Sequence, residues 1–362
     1  MITRTAPGKL FVVGEYAVVN SGRPAIVVSV DRHVSVTVAA AEGVATDVTV
    51  DSDMYSGTAG FTRVGLRLQP VGADTASALR FRHLVSALEV IQRLVVERGL
   101  PVVPIRITVT SELHENGIKL GLGSSGAVTV ATIAAVGAFH GLDLSLDERF
   151  RLAMLATARV DPKSSGGDLA ASTWAGWVAY SAPDRVEILA MTERFGVDHT
   201  IHADWPGFSV QTLRPPTNLT LAVGWTGVPS SSPAMVAELA RHNRKYSAFY
   251  RSFLTRSDEC VRLGLAALRD GDGDGLTAQI RRFRELLETA DRVARIGIFT
   301  DQLYALCRTA AEVGGAAKPS GSGGGDCGIA AFVGAARSEL DELRTRWRRV
   351  GIHPLTITVP DR

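Results

Sequence analysis

The chain has little cysteine, very little lysine, no excess of either charge and no apolar run long enough to cross a bilayer. Its 362 residues include three cysteines, Cys260, Cys307 and Cys327, odd in number and far apart. That argues against a disulfide scaffold, shows no zinc-type spacing and fits a reducing, cytoplasmic compartment. Lys and Arg total 39 against 37 for Asp and Glu, a net charge of +2, so no nucleic-acid surface is expected. The longest weakly polar run, Gly126 to Phe139, is too short to span about 30 Å of hydrocarbon. Near the N-terminus Glu15 interrupts the apolar run and no small-residue cleavage site follows, so that segment reads as a strand rather than a leader. With 46% hydrophobic residues, a soluble chain of one large or two medium domains is expected, with no membrane partner.

What is present is unevenly placed. Only five of the basic residues are lysine, and four of those, Lys9, Lys119, Lys163 and Lys318, lie in or beside Gly/Ser-rich stretches. Lysine is a compact point charge that suits a phosphate among backbone donors, whereas arginine is a bulky planar fork. The lysines therefore point to phosphate chemistry.

Periodicity predicts alternating elements. Residues 10–19 and 25–40 read as strands, 44–50 continue that character, and 53–77 read as a Gly- and Thr-rich irregular stretch. Leu84, Leu88, Ile91, Leu94 and Val95 fall on one face of a helix over 80–98. Strands are predicted at 104–113, 176–181 and 218–227, and helices at 124–139, 145–160, 233–270, 273–293, 300–313 and 335–349. An apolar strand, GIAAFV, follows the last glycine loop, and HPLTITV closes the chain as another. The domain boundary is expected near Pro215-Pro216.

Gly121 to Gly126, GLGSSG, matches G-x-G-x-x-G, and Asp143 supplies an acid at the distance a dinucleotide site would need. The context fails twice. A polar loop, HENGIK, separates the preceding strand from the glycines, and Asp143 is not at a strand end. Ser145 with Glu148 is instead a capping box that opens another helix. A P-loop fails too, since no Lys-Ser/Thr pair follows the glycines. What remains is a glycine turn entering a helix that begins Ser124-Ser125. Its unpaired first-turn N–H groups form an anion site, and either serine could cap the helix while the other contacts phosphate or Mg²⁺. The helix behind, apolar or small on every face, must be buried.

Two further loops share this chemistry, DPKSSGGDLAAST at 161–173 and KPSGSGGGDCGIAAF at 318–332. Several such loops with lysines suit an enzyme handling several phosphate groups, where positioning and electrostatics dominate. Other polar candidates are weaker. His33, His83, His114 and His140 are read as surface or loop residues, Trp174, Trp177 and Trp225 as core, and Cys327 as a small residue at a tight strand start.

Five stretches run in order through nearly the whole chain: APGKLFVVGEYAVV (6–19), KLGLGSSGAVTVA (119–131), DPKSSGGDLAAS (161–172), VGWTG (223–227) with Ser231 and Ser232 behind it, and KPSGSGGGDCGIA (318–330). Together they resemble the GHMP kinases, the superfamily of galactokinase and of homoserine, mevalonate and phosphomevalonate kinases. The Asp326-Cys327 pair after three glycines is similar to the phosphomevalonate branch. The resemblance implies an α+β fold of two domains. Residues 1–215 would form an ATP-binding domain with a left-handed βαβ crossover, and residues 216–362 a ferredoxin-like domain.

The resemblance also implies a site. Lys119, Gly121, Leu122, Gly123, Ser124, Ser125 and Gly126 would hold ATP, with Ser124 or Ser125 on Mg²⁺. Lys9 and Asp168 would flank the transferred phosphoryl group, with Lys163 as a further phosphate-neutralising cation. Tyr16, Ser165, Ser231, Ser232, Ser320, Gly321, Gly323, Gly324 and Asp326 would line the substrate side, together with Lys9. The implied reaction converts 5-phosphomevalonate and ATP to 5-diphosphomevalonate and ADP, by a monomer or homodimer; a mevalonate kinase and a non-catalytic nucleotide sensor are the alternatives. The chain departs from the family at Gly126 and Ser322, where alanine is frequent, and at Ser232-Pro233, where Ser-Thr is frequent. No glutamate stands at the usual second Mg²⁺ ligand, and Asp161 is the candidate substitute.

Overall fold

The computed structural model describes residues 1–360 except 42–45, 73–74, 116, 231–234 and 236–246. Two sheets carry the architecture. The first contains β1 (Ile2–Val13), β2 (Pro24–Ala40), β3 (Val48–Ser52), β4 (Tyr55–Val64), β5 (Arg67–Pro70), β6 (Ile105–Ser111), β9 (Trp177–Ser181) and β10 (Ser209–Leu213). Its order is β10-β9-β2-β6-β3-β4-β5, and β1 pairs antiparallel along β2. The long, valine-rich β2 is its spine, because every one of Ala25 to Val30 is buried. A small hairpin, β7 (His114–Glu115) and β8 (Ile118–Lys119), leads from β6 to the first glycine loop.

Helices cover the inner face: α1 (Thr75–Arg80), α2 (Arg82–Glu97), α3 (Ser124–Phe139), α4 (Leu146–Val160), α5 (Gly167–Trp174), α6 (Arg185–Phe195) and α7 (Val197–His202). Of these α3 lies in the middle, packed on β1, β2, α2, α4 and α5. It has no polar face to give to water, and its two threonine hydroxyls return to the helix, Thr129 to the Ser125 carbonyl at 2.8 Å and Thr132 to the Val128 carbonyl at 2.7 Å. Burial on all sides fixes where its N-terminus points. Ser145 caps α4 in the expected box with Glu148.

The second sheet runs β12 (Ala316–Pro319), β13 (Cys327–Val333), β11 (Leu219–Trp225), β14 (His353–Leu355), all antiparallel. Helices α8 (Ser247–Asp270), α9 (Gly273–Ala294) and α10 (Asp301–Glu312) precede β12, and α11 (Arg337–Arg349) precedes β14. This β-α-β-β-α-β order, with the first and third strands central, is the ferredoxin-like arrangement. Pro215-Pro216 lies between β10, the last strand of the first sheet, and β11, the first of the second. Among the described residues no helix is long and apolar enough to cross a membrane.

The chain differs from its periodicity in four places. The strand predicted over 10–19 stops at Val13, because Gly14 turns at φ +102 with Ala25 so close that no side chain fits; residues 17–19 are one 3₁₀ turn. The stretch 53–77 is not irregular but the β4–β5 hairpin, an edge whose exposed face blurs the alternation, with Gly65 at φ +62 in its turn. The last strand ends at Leu355 rather than Val359. Gly167–Trp174, inside the second lysine loop, is a helix, as are α6 and α7, for which no periodic signal was read.

Candidate active site

The three glycine loops converge on β1. A bulge between Pro7 and Lys9 interrupts β1–β2 pairing, and the Lys9 N–H bonds the Leu122 carbonyl instead, at 2.8 Å. This seats the first loop directly on the strand that carries Lys9. The Lys9 side chain is mostly buried and its Nζ donates to the Gly121 carbonyl at 3.5 Å. It lies near Gly321 of the last loop, whose Cβ, if present, would be 3.4 Å from Nζ.

Each glycine of the G-x-G-x-x-G run leaves room for a different charged side chain. A Cβ at Gly121 would collide with the Asp326 carboxylate group, one at Gly123 would meet Lys9 Cγ at 2.8 Å, and one at Gly126 would meet Asp168 Oδ2 at 2.6 Å. The motif therefore gathers side chains from residues 9, 168 and 326 around one helix start.

Gly123, at φ +77, caps α3 with no side-chain partner. The Ser124 and Ser125 hydroxyls have no hydrogen bond to any described residue, and both residues stay part-exposed. Asp168 stands in the first turn of α5, where Oδ1 accepts the Leu169 N–H at 3.0 Å, and the nearby Gly126 N–H favours the charged carboxylate. Burial raises its carboxyl above the ordinary range, opposed by the Lys9 charge and these N–H donors. Asp326 is held at φ +53 with Oδ1 accepting the Ser230 N–H at 3.0 Å; burial raises it too, against that bond and the charges of Lys9 and Lys119.

Beside Ser124 and Ser125 a cleft opens, walled by Tyr55, Arg80, Phe81, His83 and Lys119. Tyr55 and Phe81 meet edge to face at 5.4 Å, and the Arg80 guanidinium lies over the Tyr55 ring at 5.6 Å. His83 is a correction to the expected surface or loop histidine. It sits on α2, half-buried, and burial with the charges of Arg82 and Lys119 pushes its imidazole down to about 4 against the pull of Asp161. It is neutral at pH 7. Of these wall residues only Lys119 stands out in the sequence as a phosphate-binding candidate; Tyr55 and Phe81 do not, because an aromatic position looks the same whether it lines a core or a cleft.

The last loop behaves differently from its string. Ser320 is buried, its hydroxyl accepting the Phe11 N–H at 2.8 Å and donating to the Phe11 carbonyl at 3.1 Å. Tyr16, held at φ +64, donates its hydroxyl to the Ser322 carbonyl. Lys318 is fully buried, paired with the equally buried Glu15 and bonded to the Pro319 carbonyl at 2.6 Å. Burial lowers Lys318 and raises Glu15, each restrained by the other. The loop backbone adds bonds from Gly324 to Ile298 and from Asp326 to Val228, both 2.8 Å. Gly321, Gly323 and Gly324 all have positive φ there.

The remaining expected residues divide. Lys119 borders the cleft, but the exposed Lys163 side chain meets none of these groups among the described residues. The Ser165 hydroxyl accepts the Gly167 N–H at 3.3 Å, starting α5. Ser231 and Ser232 lie outside the described residues. Cys327 is buried, its thiol donating to the Leu120 carbonyl at 3.0 Å and driven far above its ordinary value by burial, so it is no nucleophile. Trp177 and Trp225 are buried, and Trp174 packs on Phe150 at 5.0 Å.

The GHMP kinases N terminal domain matches residues 82–176, and the GHMP kinases C terminal domain matches 265–353. The chain is 53% identical to a phosphomevalonate kinase of Streptomyces sp. (strain CL190), over 99% of this chain and 96% of that one. It is 25% identical to a mevalonate kinase of Thermococcus onnurineus (strain NA1), over 99% and 96%. A structure of Streptococcus pneumoniae phosphomevalonate kinase in complex with phosphomevalonate and AMPPNP matches with TM-score 0.85 at 26% identity, covering 99% of this chain and 100% of that one.

Proposed function

The chain belongs to the GHMP kinases, and from that premise we propose that it transfers the γ-phosphoryl group of ATP to 5-phosphomevalonate, giving 5-diphosphomevalonate and ADP. The observation that carries this reading is the 53% identity to a phosphomevalonate kinase along almost the whole chain, against 25% to a mevalonate kinase of similar coverage. We take residues 1–215 as the ATP-binding half and 216–362 as its partner domain, and place the reaction in the cytoplasm, which the three free, buried cysteines fit.

The uncommitted Ser124 and Ser125 N–H and hydroxyl groups receive the ATP phosphates at a helix N-terminus, and the Tyr55–Phe81–His83 cleft beside them takes the nucleoside. Lys9, between the first and last loops, neutralises the phosphates as donor and acceptor approach. A phosphate acceptor has a second pKa near about 6, so its attacking oxygen is already largely ionised at pH 7. No strong base is needed, and Asp168 serves to hold Lys9 in place. Mg²⁺ fits as well. Among the described residues no cluster of three His, Cys, Asp or Glu could bind it alone. A free serine hydroxyl beside the phosphates is the sparse donor set that this ion accepts when nucleotide oxygens and water complete its shell. It would neutralise phosphate charge there.

Assaying ADP release with a panel of acceptors tests the reading. Turnover is expected with 5-phosphomevalonate and not with mevalonate, falling as the pH drops through about 6 where the acceptor protonates. The raised Asp168 carboxyl acts in the same direction, since it loses its charge at a higher pH than an ordinary aspartate. Efficient phosphorylation of mevalonate would overturn the substrate and the role given to Asp168. ATP binding without ADP release from any acceptor would make the chain a sensor.

A further inference from the structure

Glycines in a phosphate-binding loop are read as making room for the nucleotide, yet here the missing side chains face the protein. Gly121 and Gly123 have positive φ, so any substitution there strains the backbone whatever it touches. Gly126 does not. It sits inside the first turn of α3 in ordinary helical conformation, where alanine is the better helix former. All three nearest atoms to a Cβ at that position belong to one residue: Asp168 Oδ2 at 2.6 Å, Cγ at 2.7 Å and Cβ at 2.9 Å. The backbone N–H of Gly126 also favours the charged form of the same carboxylate. Gly126 is three residues beyond Gly123, hence on the same helix face, and Gly123 in turn abuts Lys9 Cγ at 2.8 Å and Asp168 Cβ at 3.3 Å.

We propose that Gly126 is a positioning residue for phosphoryl transfer: its bare Cα forms a notch that seats the Asp168 carboxylate on the α3 N-terminus, on the side of Gly123 that Lys9 also borders. The consequence is particular to this chain. With alanine at the position the carboxylate must sit farther from the helix start, so the Lys9–Asp168 pair is set closer to α3 here than an alanine-bearing helix permits. One side of the α3 helix start thereby faces an internal carboxylate, and the Ser124 and Ser125 N–H groups are left for ATP. This inference rests on the reading of Lys9 and Asp168 as the pair that flanks the transferred group.

The test is Gly126→Ala alone and in an Asp168→Asn background. The single variant is expected to fold with unchanged or higher melting temperature. Its kcat should fall about 10- to 100-fold, the scale of a displacement near one ångström, while the KM for ATP stays within about twofold. Added to Asp168→Asn, it should change kcat less than about twofold, because the group it displaces has already lost its charge. Unchanged kcat, an equal loss in both backgrounds, or a raised KM for ATP with kcat kept would each overturn the proposal. A wild type inactive with 5-phosphomevalonate would sink the substrate reading instead. The notch is then judged from the crystal structure of the unliganded Gly126→Ala protein. A carboxylate pushed away from the start of α3 supports it, and an α3 that shifts while Asp168 stays overturns it.

Discussion

At the start of α3 the Ser124 and Ser125 hydroxyls have no partner among the described residues and open on a cleft, whereas in the 318–326 loop the polar groups are turned inward. Ser320 bonds both the N–H and the carbonyl of Phe11, Tyr16 reaches the Ser322 carbonyl, and Lys318 pairs with Glu15. Both loops are rich in glycine and serine, and both carry a lysine. The first offers donors to a ligand; the second ties the second sheet to β1. The difference shows that a glycine-serine string supplies conformational freedom and donors, and the surroundings decide which of the two is used.

The largest effect that separates the loops should come from Glu15→Gln. Leaving the fully buried Lys318 unpaired should cost about 3–5 kcal/mol of folding stability, measured by chemical denaturation. A loss under about 1 kcal/mol would mean that water reaches this pair and the last loop is not locked. Next is Lys9→Met, at the junction of the two loops, with kcat reduced about 10²- to 10³-fold, near 2.7–4 kcal/mol of transition-state stabilisation. A loss below about tenfold would reduce Lys9 to a strand-end cation. The smallest is a pair of alanine substitutions that should behave oppositely. Ser320→Ala takes the partner from the buried Phe11 N–H and one of two donors from the Phe11 carbonyl, the other being Lys318, and should lower stability by about 1–3 kcal/mol. Ser124→Ala should leave stability within about 0.5 kcal/mol while weakening ATP binding in calorimetry. Equal stability losses would erase the contrast.

Much of this was legible in the residues. The boundaries of α3, 124–139, follow from an apolar run behind a serine start, and the Ser145–Glu148 box marks α4 because capping is local chemistry. Of the lysines in the glycine-rich stretches, Lys9 and Lys119 lie by the start of α3, while Lys163 stays at the surface. The cleft was not legible, since Tyr55, Phe81 and His83 become neighbours only when the β4–β5 hairpin meets α2. Nor was the Glu15–Lys318 pair, although an acid ending an apolar strand and a lysine entering another were its faint signals.

By itself the sequence determined the parts whose causes are local: the helix that must be buried, the turns that need glycine, and the order of five stretches that marks the family. Tertiary structure alone decided which side chain each glycine admits, which serine hydroxyl is tied to the backbone and which lysine is locked in the core. Those outcomes depend on contacts between segments more than a hundred residues apart, such as Gly121 with Asp326 or Phe11 with Ser320, and on whether each polar group, once buried, finds a protein partner in place of water.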